Sequence, residues 1–475
     1  MKREDFIKKL SAFSIGPIVG AFINLITTPI ITYFISPDEY GKASMFTVAL
    51  TIIQLVVFLG MDQAYAKRYF ESNNKSGLFV NAIIPSLFLT VICEVVGVIL
   101  FHQIGLWLFN SIYETICVIA LLAAIPASVI ERFLLLSIRM SQRGKLYSCM
   151  SILSKLIILF STVLLFLLFE KSYRSVVVGM AVSQIIYVMI LYVLQRKEIN
   201  ISGHLICFDE IVSLLRFSLP LVPTTIIGWI LTGMDKVMLR TYVSYEDLGL
   251  YGVAAKFAAG LTIIQACFTT FWSPLAFQWN HEGGNEHNFT KVGKMLSCIM
   301  AIVFAFTIMF KDVFFLLLQK EYRDAASIVP FLLFTPIMYT ISEVTVMGIY
   351  FKEKTSWTIV ASTVSATINL LLNMILIPRL GPKGAAIATG ISYISFFWLR
   401  TILSRRIWYP FTIKPYLFIT IILVLDSLVS TFCSGYVIYT VNLACAVLLL
   451  LFFRHEVAYL AKLAKDTLKS IVFRT

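Results

Sequence analysis

The sequence predicts an all-α polytopic membrane protein that crosses a bilayer about fourteen times. Its 475 residues are 59% hydrophobic and only 14% charged, whereas soluble domains carry about 25% charged residues. The mean hydropathy is +0.86. The apolar residues form runs of about 20, the length that a helix needs to span the hydrocarbon core. Apolar side chains in this number require lipid, rather than water, around them.

Fourteen apolar runs meet this length criterion along the chain. The predicted spans are residues 12–34, 43–63, 78–101, 114–136, 146–169, 173–195, 211–239, 250–275, 292–310, 327–350, 356–377, 384–402, 415–433 and 435–453.

The basic residues lie mainly in the loops on one side of these spans. Loops on the side of the N-terminus hold 25 Lys and Arg residues, and loops on the opposite side hold 9. The positive-inside rule therefore predicts that both termini are cytoplasmic. The net charge of +13 is explained by this topology, so we expect no nucleic-acid partner.

The eight cysteines and five histidines of the chain show no spacing that is typical of a disulfide framework or a zinc site. Most of the cysteines lie within apolar runs, where they behave as small hydrophobic residues. The sequence therefore predicts no metal site and no cofactor.

An internal repeat links the two halves of the chain. Residues 40–54 match residues 251–265 at nine of fifteen positions, including Tyr40, Gly41 and Gln54. The two copies fall on predicted spans 2 and 8, which enter the membrane in the same direction. This predicts two six-helix bundles related by a pseudo-twofold axis along the membrane normal, an arrangement found in secondary transporters.

The repeat also predicts the domain organisation. Residues 1–195 form an N-terminal six-helix lobe, 196–210 a cytoplasmic linker and 211–402 a C-terminal six-helix lobe. Residues 403–475 are expected to add a helix pair and a basic cytoplasmic tail.

Several motifs in both halves resemble those of the polysaccharide-biosynthesis (O-antigen type) flippases of the multidrug/oligosaccharidyl-lipid/polysaccharide exporter superfamily. The stretches that carry the resemblance are 36–41 (SPDEYG), 235–239 (DKVML), 249–254 (GLYGVA), and Asn369, Asn373 and Pro378 followed by 381–389 (GPKGAAIAT).

The resemblance implies a transporter, not an enzyme, in the bacterial cytoplasmic (inner) membrane. Its expected substrate is an undecaprenyl-pyrophosphate-linked oligosaccharide, moved from the cytoplasmic to the periplasmic leaflet by alternating access. The pathway would be that of O-antigen, capsule or exopolysaccharide synthesis. Polymerases and other polysaccharide-assembly proteins are then expected partners, besides the lipid bilayer.

Such a substrate carries a pyrophosphate, so positive side chains within the spans are candidates for binding its head group. A charge at mid-membrane is costly and generally faces the protein interior or a water-filled cavity. Ion pairs between helices and snorkelling at helix ends are the structural alternatives. The candidates are Arg132, Lys155, Lys256, Arg216 and Lys236.

Acidic residues within the spans are candidates for coupling transport to H⁺ or Na⁺. A hydrogen-bonded structural carboxyl is the alternative for each. The candidates are Glu94, Glu343, Asp235 and Glu131.

Other functions remain open at the level of sequence. An ion-coupled drug/cation antiporter of the same superfamily and a peptidoglycan-precursor flippase would share the fold. A membrane-embedded polymerase or glycosyltransferase would need a larger loop for its catalytic groups.

No phosphate-binding P-loop motif occurs in the sequence. We therefore expect an ion gradient or consumption of the product to drive transport.

Overall fold

The computed structural model describes residues 3–196, 206–282 and 286–462. Within these ranges every regular element is a helix, which confirms the all-α prediction. Most of the predicted linker 196–210 and the tail from residue 463 lie outside the described residues.

The helices up to residue 259 are α1 (Arg3–Phe34), α2 (Pro37–Phe58), α3 (Met61–Arg68), α4 (Lys75–Ile99), α5 (Phe101–Phe109), α6 (Thr115–Met140), α7 (Gly144–Leu168), α8 (Tyr173–Gln195), α9 (Phe208–Ser218), α10 (Val222–Tyr242) and α11 (Tyr245–Ala259). They are followed by α12 (Thr262–His281), α13 (Glu286–Leu316), α14 (Val329–Leu332), α15 (Phe334–Thr345), α16 (Met347–Phe351), α17 (Ser356–Ile407), α18 (Lys414–Phe432), α19 (Tyr436–Phe452) and α20 (Arg454–Lys462).

Among the described residues, 11 helices are long and apolar enough to cross a membrane, or up to 13 if each bent helix pair is one span. The predicted number of about fourteen is therefore not confirmed. One difference is α17, which has 52 residues and covers two predicted spans. Its backbone leaves helical geometry at Gly381, where φ is 56°, a conformation that glycine adopts without steric cost.

The chain forms two compact units, Met1–Gly252 and Val253–Thr475. In the first unit, α1 packs on α7, and α6 packs on α8 and α4. A buried core at one end joins α3, α4 and α6 through the rings of Tyr65, Phe79 and Phe133. The short helix α9 lies against α3 and α4, so part of the predicted C-terminal lobe packs within this unit.

In the second unit, α15 packs on α17 and α13. The final helices α18 and α19 pack on each other and on α13. Buried polar side chains occur at this contact, including Lys311 of α13 and Asp426 of α18. The C-terminal helix pair is therefore an integral part of the second unit.

Two glycines allow α2 and the start of α11 to cross in close contact within the first unit. A Cβ atom on Gly41 would lie 2.0 Å from the carbonyl oxygen of Tyr245, and one on Gly249 would lie 1.9 Å from that of Pro37. Real Cβ atoms do not approach backbone atoms so closely. Glycine at both positions is therefore a packing requirement of this crossing.

The two copies of the sequence repeat differ in local structure. Residues 40–54 lie within the continuous helix α2, whereas residues 251–265 are divided between α11 and α12. The break is at Gly260, which replaces Ala49 of the first copy, and Gly260 and Leu261 bond to carbonyls only three residues earlier. Glycine weakens a helix by about 1 kcal/mol relative to alanine, which accounts for the position of the break.

Candidate functional site

The first unit brings three of the predicted charged residues together within the candidate membrane spans α6 and α7. Arg132 lies eight residues before the end of α6, and Lys155 lies eleven residues after the start of α7. At 1.5 Å per residue these positions are about 12 and 16 Å from the turn between the helices, which places both residues inside the spans and away from their ends. Glu131 is adjacent to Arg132 and interacts electrostatically with both cations.

Arg132 is held by a carboxylate from α3. Its Nε and Nη2 atoms donate hydrogen bonds of 3.0 and 2.6 Å to Oδ2 of Asp62. The Asp62 side chain is 8% exposed, whereas that of Arg132 is 54% exposed. Two of the five guanidinium N–H groups are thus used within the described part of the chain. The side chain is otherwise largely exposed, and a planar guanidinium fork is suited to phosphate.

Glu131 and Lys155 line the same region of the first unit. Glu131 accepts a hydrogen bond of 3.1 Å from Nε2 of Gln184 on α8. Lys155 is half-buried, and its Cγ atom lies close to Gly20 of α1, where a Cβ atom would be 3.5 Å away. Helices α3, α6, α7 and α8 therefore contribute to a cluster of charged and polar side chains, and α1 packs beside it at Gly20. We call this group the mid-membrane cluster and define it as Asp62, Glu131, Arg132, Lys155 and Gln184.

The remaining predicted cations lie on other helices. Arg216 is exposed on α9, and Lys236 is half-buried on α10, both in the first unit. Lys256 is exposed on α11, in the second unit. The structure places none of these three in the mid-membrane cluster.

Two of the predicted ion-coupling carboxylates have contrasting surroundings in the first unit. Asp235 is buried and accepts a hydrogen bond of 2.5 Å from the hydroxyl of Tyr251. Glu94 of α4 is half-buried, and its Oε1 atom is buried with no hydrogen-bond partner in the described residues. An unsatisfied buried carboxylate oxygen is costly, whereas a hydrogen-bonded one is a stable structural element.

Glu343 lies in a buried polar network of the second unit. Its Oε1 atom accepts a hydrogen bond of 3.1 Å from Nη1 of Arg400, and the side chains are 8% and 3% exposed. The same nitrogen donates to Ser342 at 2.6 Å, and Nη2 donates to the Tyr350 hydroxyl at 3.2 Å. The guanidinium also lies 4.8 Å from the ring centre of Phe396. Glu343 is thus compensated by a buried cation.

A third ion pair lies just outside the start of α6. Arg174 donates hydrogen bonds of 3.0 and 2.8 Å to the two carboxylate oxygens of Glu114, which is almost completely buried. The hydrogen bonds from Arg174 are the main cause of the lowered pKa of Glu114. This ion pair connects α8 with the segment that precedes α6.

Sequence reasoning missed Asp62 and Arg400, which complete the two charged networks. Both lie near the ends of predicted spans, 43–63 and 384–402, where a charge is expected to reach water. The signal available in the sequence was a charge within a predicted span, that of Arg132 in one case and that of Glu343 in the other. Such a charge requires a partner of opposite sign.

No group of three or more metal-ligating side chains occurs in residues 3–196, 206–282 and 286–462.

The protein is a multi-pass membrane protein. Its long helices expose many apolar residues, and charged networks lie among these helices. Solved structures of transporters share its architecture. The lipid II flippase MurJ in an inward closed conformation has a TM-score of 0.69 at 17% identity, covering 94% of this chain and 99% of that chain. An inward-facing multidrug resistance MATE family transporter of the MOP superfamily has a TM-score of 0.59 at 14% identity, covering 81% and 94%.

The chain belongs to the polysaccharide biosynthesis protein family, whose model matches residues 6–279. A curated relative, the probable low-salt glycan biosynthesis flippase Agl15 of Haloferax volcanii, is 20% identical over 190 residues. That alignment covers 39% of this chain and 40% of the relative. The polysaccharide-biosynthesis family predicted from the motifs is confirmed, and the comparisons agree with the prediction of a transporter, not an enzyme.

Proposed function

We propose that the protein is a flippase that moves an undecaprenyl-pyrophosphate-linked oligosaccharide from the cytoplasmic to the outer leaflet of the bacterial inner membrane. Both termini are cytoplasmic in this proposal, in agreement with the distribution of Lys and Arg. The family and the names of a glycan flippase and a lipid II flippase among similar proteins support this class of substrate.

The observation that carries the proposal is the exposed side chain of Arg132 within the candidate span α6. A charge within a span is tolerated when it faces a water-filled cavity rather than lipid. Asp62 holds the group from its buried side and leaves N–H donors for a ligand. Lys155 adds a second positive charge nearby. Together, these two cations are the head-group site that we propose, with Arg132 as the phosphate fork and Lys155 as a point charge.

Arg216, Lys236 and Lys256 are assigned a secondary part in the proposal. Their distribution over three helices suits successive contacts with a head group that moves across the membrane. We expect their individual substitution to weaken transport less than substitution of Arg132.

Alternating access requires that the outer side of the protein opens and closes. The glycine crossing of α2 and α11 lies at the N-terminal ends of both helices, which the proposed orientation places at the outer surface. We propose that this crossing closes the outer side and separates when the head group is released.

If transport is coupled to an ion, Glu94 is our first candidate because its Oε1 atom has no hydrogen-bond partner in the described residues. Protonation would remove the negative charge of this carboxylate and so lower the cost of burying it. Glu343, Asp235 and Glu131 already accept hydrogen bonds and rank after it.

An ion-coupled drug/cation antiporter is the second candidate. The MATE transporters share the fold, and Glu131 and Glu94 would supply the negative charge that a cationic drug needs. In that case Arg132 would serve only to neutralise Asp62.

Complementation of a strain that lacks its own O-antigen flippase tests the proposal. Wild type, Arg132→Ala and Arg139→Ala are compared at equal membrane abundance, with a matched sugar pathway. Arg139 is a matched control because it is an exposed arginine on the same helix, in its last turn. We expect surface polysaccharide with wild type and Arg139→Ala and little with Arg132→Ala. Drug resistance without polysaccharide would instead favour the antiporter.

A further inference from the structure

A cavity of about 220 Å³ lies in the second unit, between the first turns of α13 and the short helix α20. Its lining includes Lys291 and Lys294 of α13, and His455, Glu456 and Tyr459 of α20. The size is sufficient for a phosphate-containing group and its water. The mid-membrane cluster belongs to the first unit, and none of its residues lines this cavity.

The two helices place this cavity at the boundary between membrane and water. Helix α20 turns by 78° from α19, so it lies close to the membrane plane if α19 crosses the bilayer. The polar first turns of α13 end near Lys294, where its apolar run begins. Lysine and tyrosine at this level are typical of the interfacial region, where head groups are located.

The side chains converge on the cavity for geometric reasons. Lys291 and Lys294 are three residues apart and share one face of α13, while His455 and Tyr459 are four residues apart and share one face of α20. The Nζ atom of Lys291 lies 4.9 Å from the centre of the Tyr459 ring, a cation–π contact that holds the ammonium at the cavity.

The charge of the cavity favours an anion. Two lysines outnumber the single carboxylate of Glu456, and neither lysine forms a salt bridge within the described part of the chain. In the proposed orientation the cavity faces the cytoplasm, where the leaflet carries anionic lipid and attracts basic residues near the surface.

We propose that this cavity binds the phosphate of an anionic phospholipid of the cytoplasmic leaflet. Lys291 and Lys294 supply the positive charge, and the Tyr459 ring packs against the glycerol region of the lipid. This site is independent of the transported substrate and fastens α20 to the membrane surface beside the end of α19. A soluble phosphate is the other source of the same chemistry.

The experiment measures the thermal unfolding midpoint of the purified full-length protein in a neutral detergent. Dioleoyl phosphatidylglycerol, dioleoyl phosphatidylcholine and sodium phosphate are titrated separately. We expect a saturable rise with phosphatidylglycerol alone, because a ligand that binds only the folded state stabilises it. An equal rise with sodium phosphate would overturn the assignment to a lipid.

Variants then locate the site. Lys291→Ala/Lys294→Ala is expected to weaken the apparent affinity for phosphatidylglycerol about twenty-five-fold, because each lysine near an anionic surface contributes a factor of about five. Lys291→Arg/Lys294→Arg retains the charge and should behave as wild type. The matched control is Lys352→Ala/Lys354→Ala, which removes two exposed lysines from a loop on the same predicted side.

Glu456→Gln provides a gain of function that damage to the fold would not produce. It removes the negative charge of the cavity and is expected to strengthen binding of phosphatidylglycerol severalfold. The proposal is overturned if Lys291→Ala/Lys294→Ala binds this lipid as tightly as wild type, or if the control pair weakens binding equally.

Discussion

Substitution of Arg132 by alanine is expected to lower both stability and transport, and a second substitution separates the two effects. The change leaves the buried carboxylate of Asp62 without the two hydrogen bonds of 3.0 and 2.6 Å that it accepts. Removing one partner of a fully buried pair costs about 3–5 kcal/mol. Because Arg132 is 54% exposed and solvent screens the pair, we expect a loss of about 2 kcal/mol, within the range for hydrogen bonds to charged groups.

The double variant Asp62→Asn/Arg132→Ala removes the uncompensated charge and should recover most of this stability. It should not recover transport, because the phosphate-binding fork is still absent. Asp62→Asn alone retains the cation and should keep most of the transport activity. Unfolding midpoints in detergent and surface polysaccharide at equal membrane abundance measure the two properties. Recovery of both properties in the double variant would refute a substrate-binding role for Arg132 and leave it a structural one.

Three further predictions concern other contacts. Arg400→Ala should destabilise the second unit by about 3–5 kcal/mol, because both partners of its ion pair with Glu343 are buried. The double variant Arg400→Ala/Glu343→Gln should recover part of the resulting decrease in the unfolding midpoint. No recovery would contradict the pairing. Gly249→Leu should abolish transport at normal abundance or reduce abundance, since its side chain would overlap a backbone carbonyl of α2; full activity would show that the crossing is dispensable. The pKa of Glu114 is lowered in the folded protein. Its ion pair with Arg174 therefore stabilises the fold fully at pH values above the pKa of an unfolded glutamate, about 4.3. This contribution is lost as the pH falls through the pKa of Glu114 in the folded state. Glu114→Gln should therefore unfold with a weaker pH dependence in acid than wild type, and an unchanged dependence would count against this pair.

The residues of the mid-membrane cluster differ in how readily they can be predicted from the sequence. Arg132 and Lys155 stand out because a charge within an apolar run needs a special environment. Asp62 does not, because it lies at the edge of a run, where a charge would be expected in water. Its burial depends on the turn at Leu59 and Gly60, which have positive φ angles and place α3 against α6.

In the second unit, too, the role of a charged residue depends on packing that the sequence does not show. Glu343 is recognisable as an intramembrane carboxylate, but its role depends on Arg400, which lies 57 residues later. The sequence predicts Arg400 at a loop boundary, where assignment is accurate only to a few residues. In the structure it lies within α17. The repeat aligns residues 40–54 with residues 251–265, yet the break at Gly260 follows from a local helix preference that the alignment of identities does not express.

A direct transport assay is the strictest test of the central claim, that a cationic site in this protein moves a lipid-linked glycan. The purified protein is reconstituted into liposomes that contain an undecaprenyl-pyrophosphate-linked oligosaccharide, and the glycan that is accessible to an external lectin is followed with time. We predict that wild type and Arg139→Ala exchange the glycan between leaflets, whereas Arg132→Ala exchanges it no faster than protein-free liposomes. Equal exchange by wild type and protein-free liposomes would contradict the proposed function, and equal exchange by wild type and Arg132→Ala would contradict the proposed site.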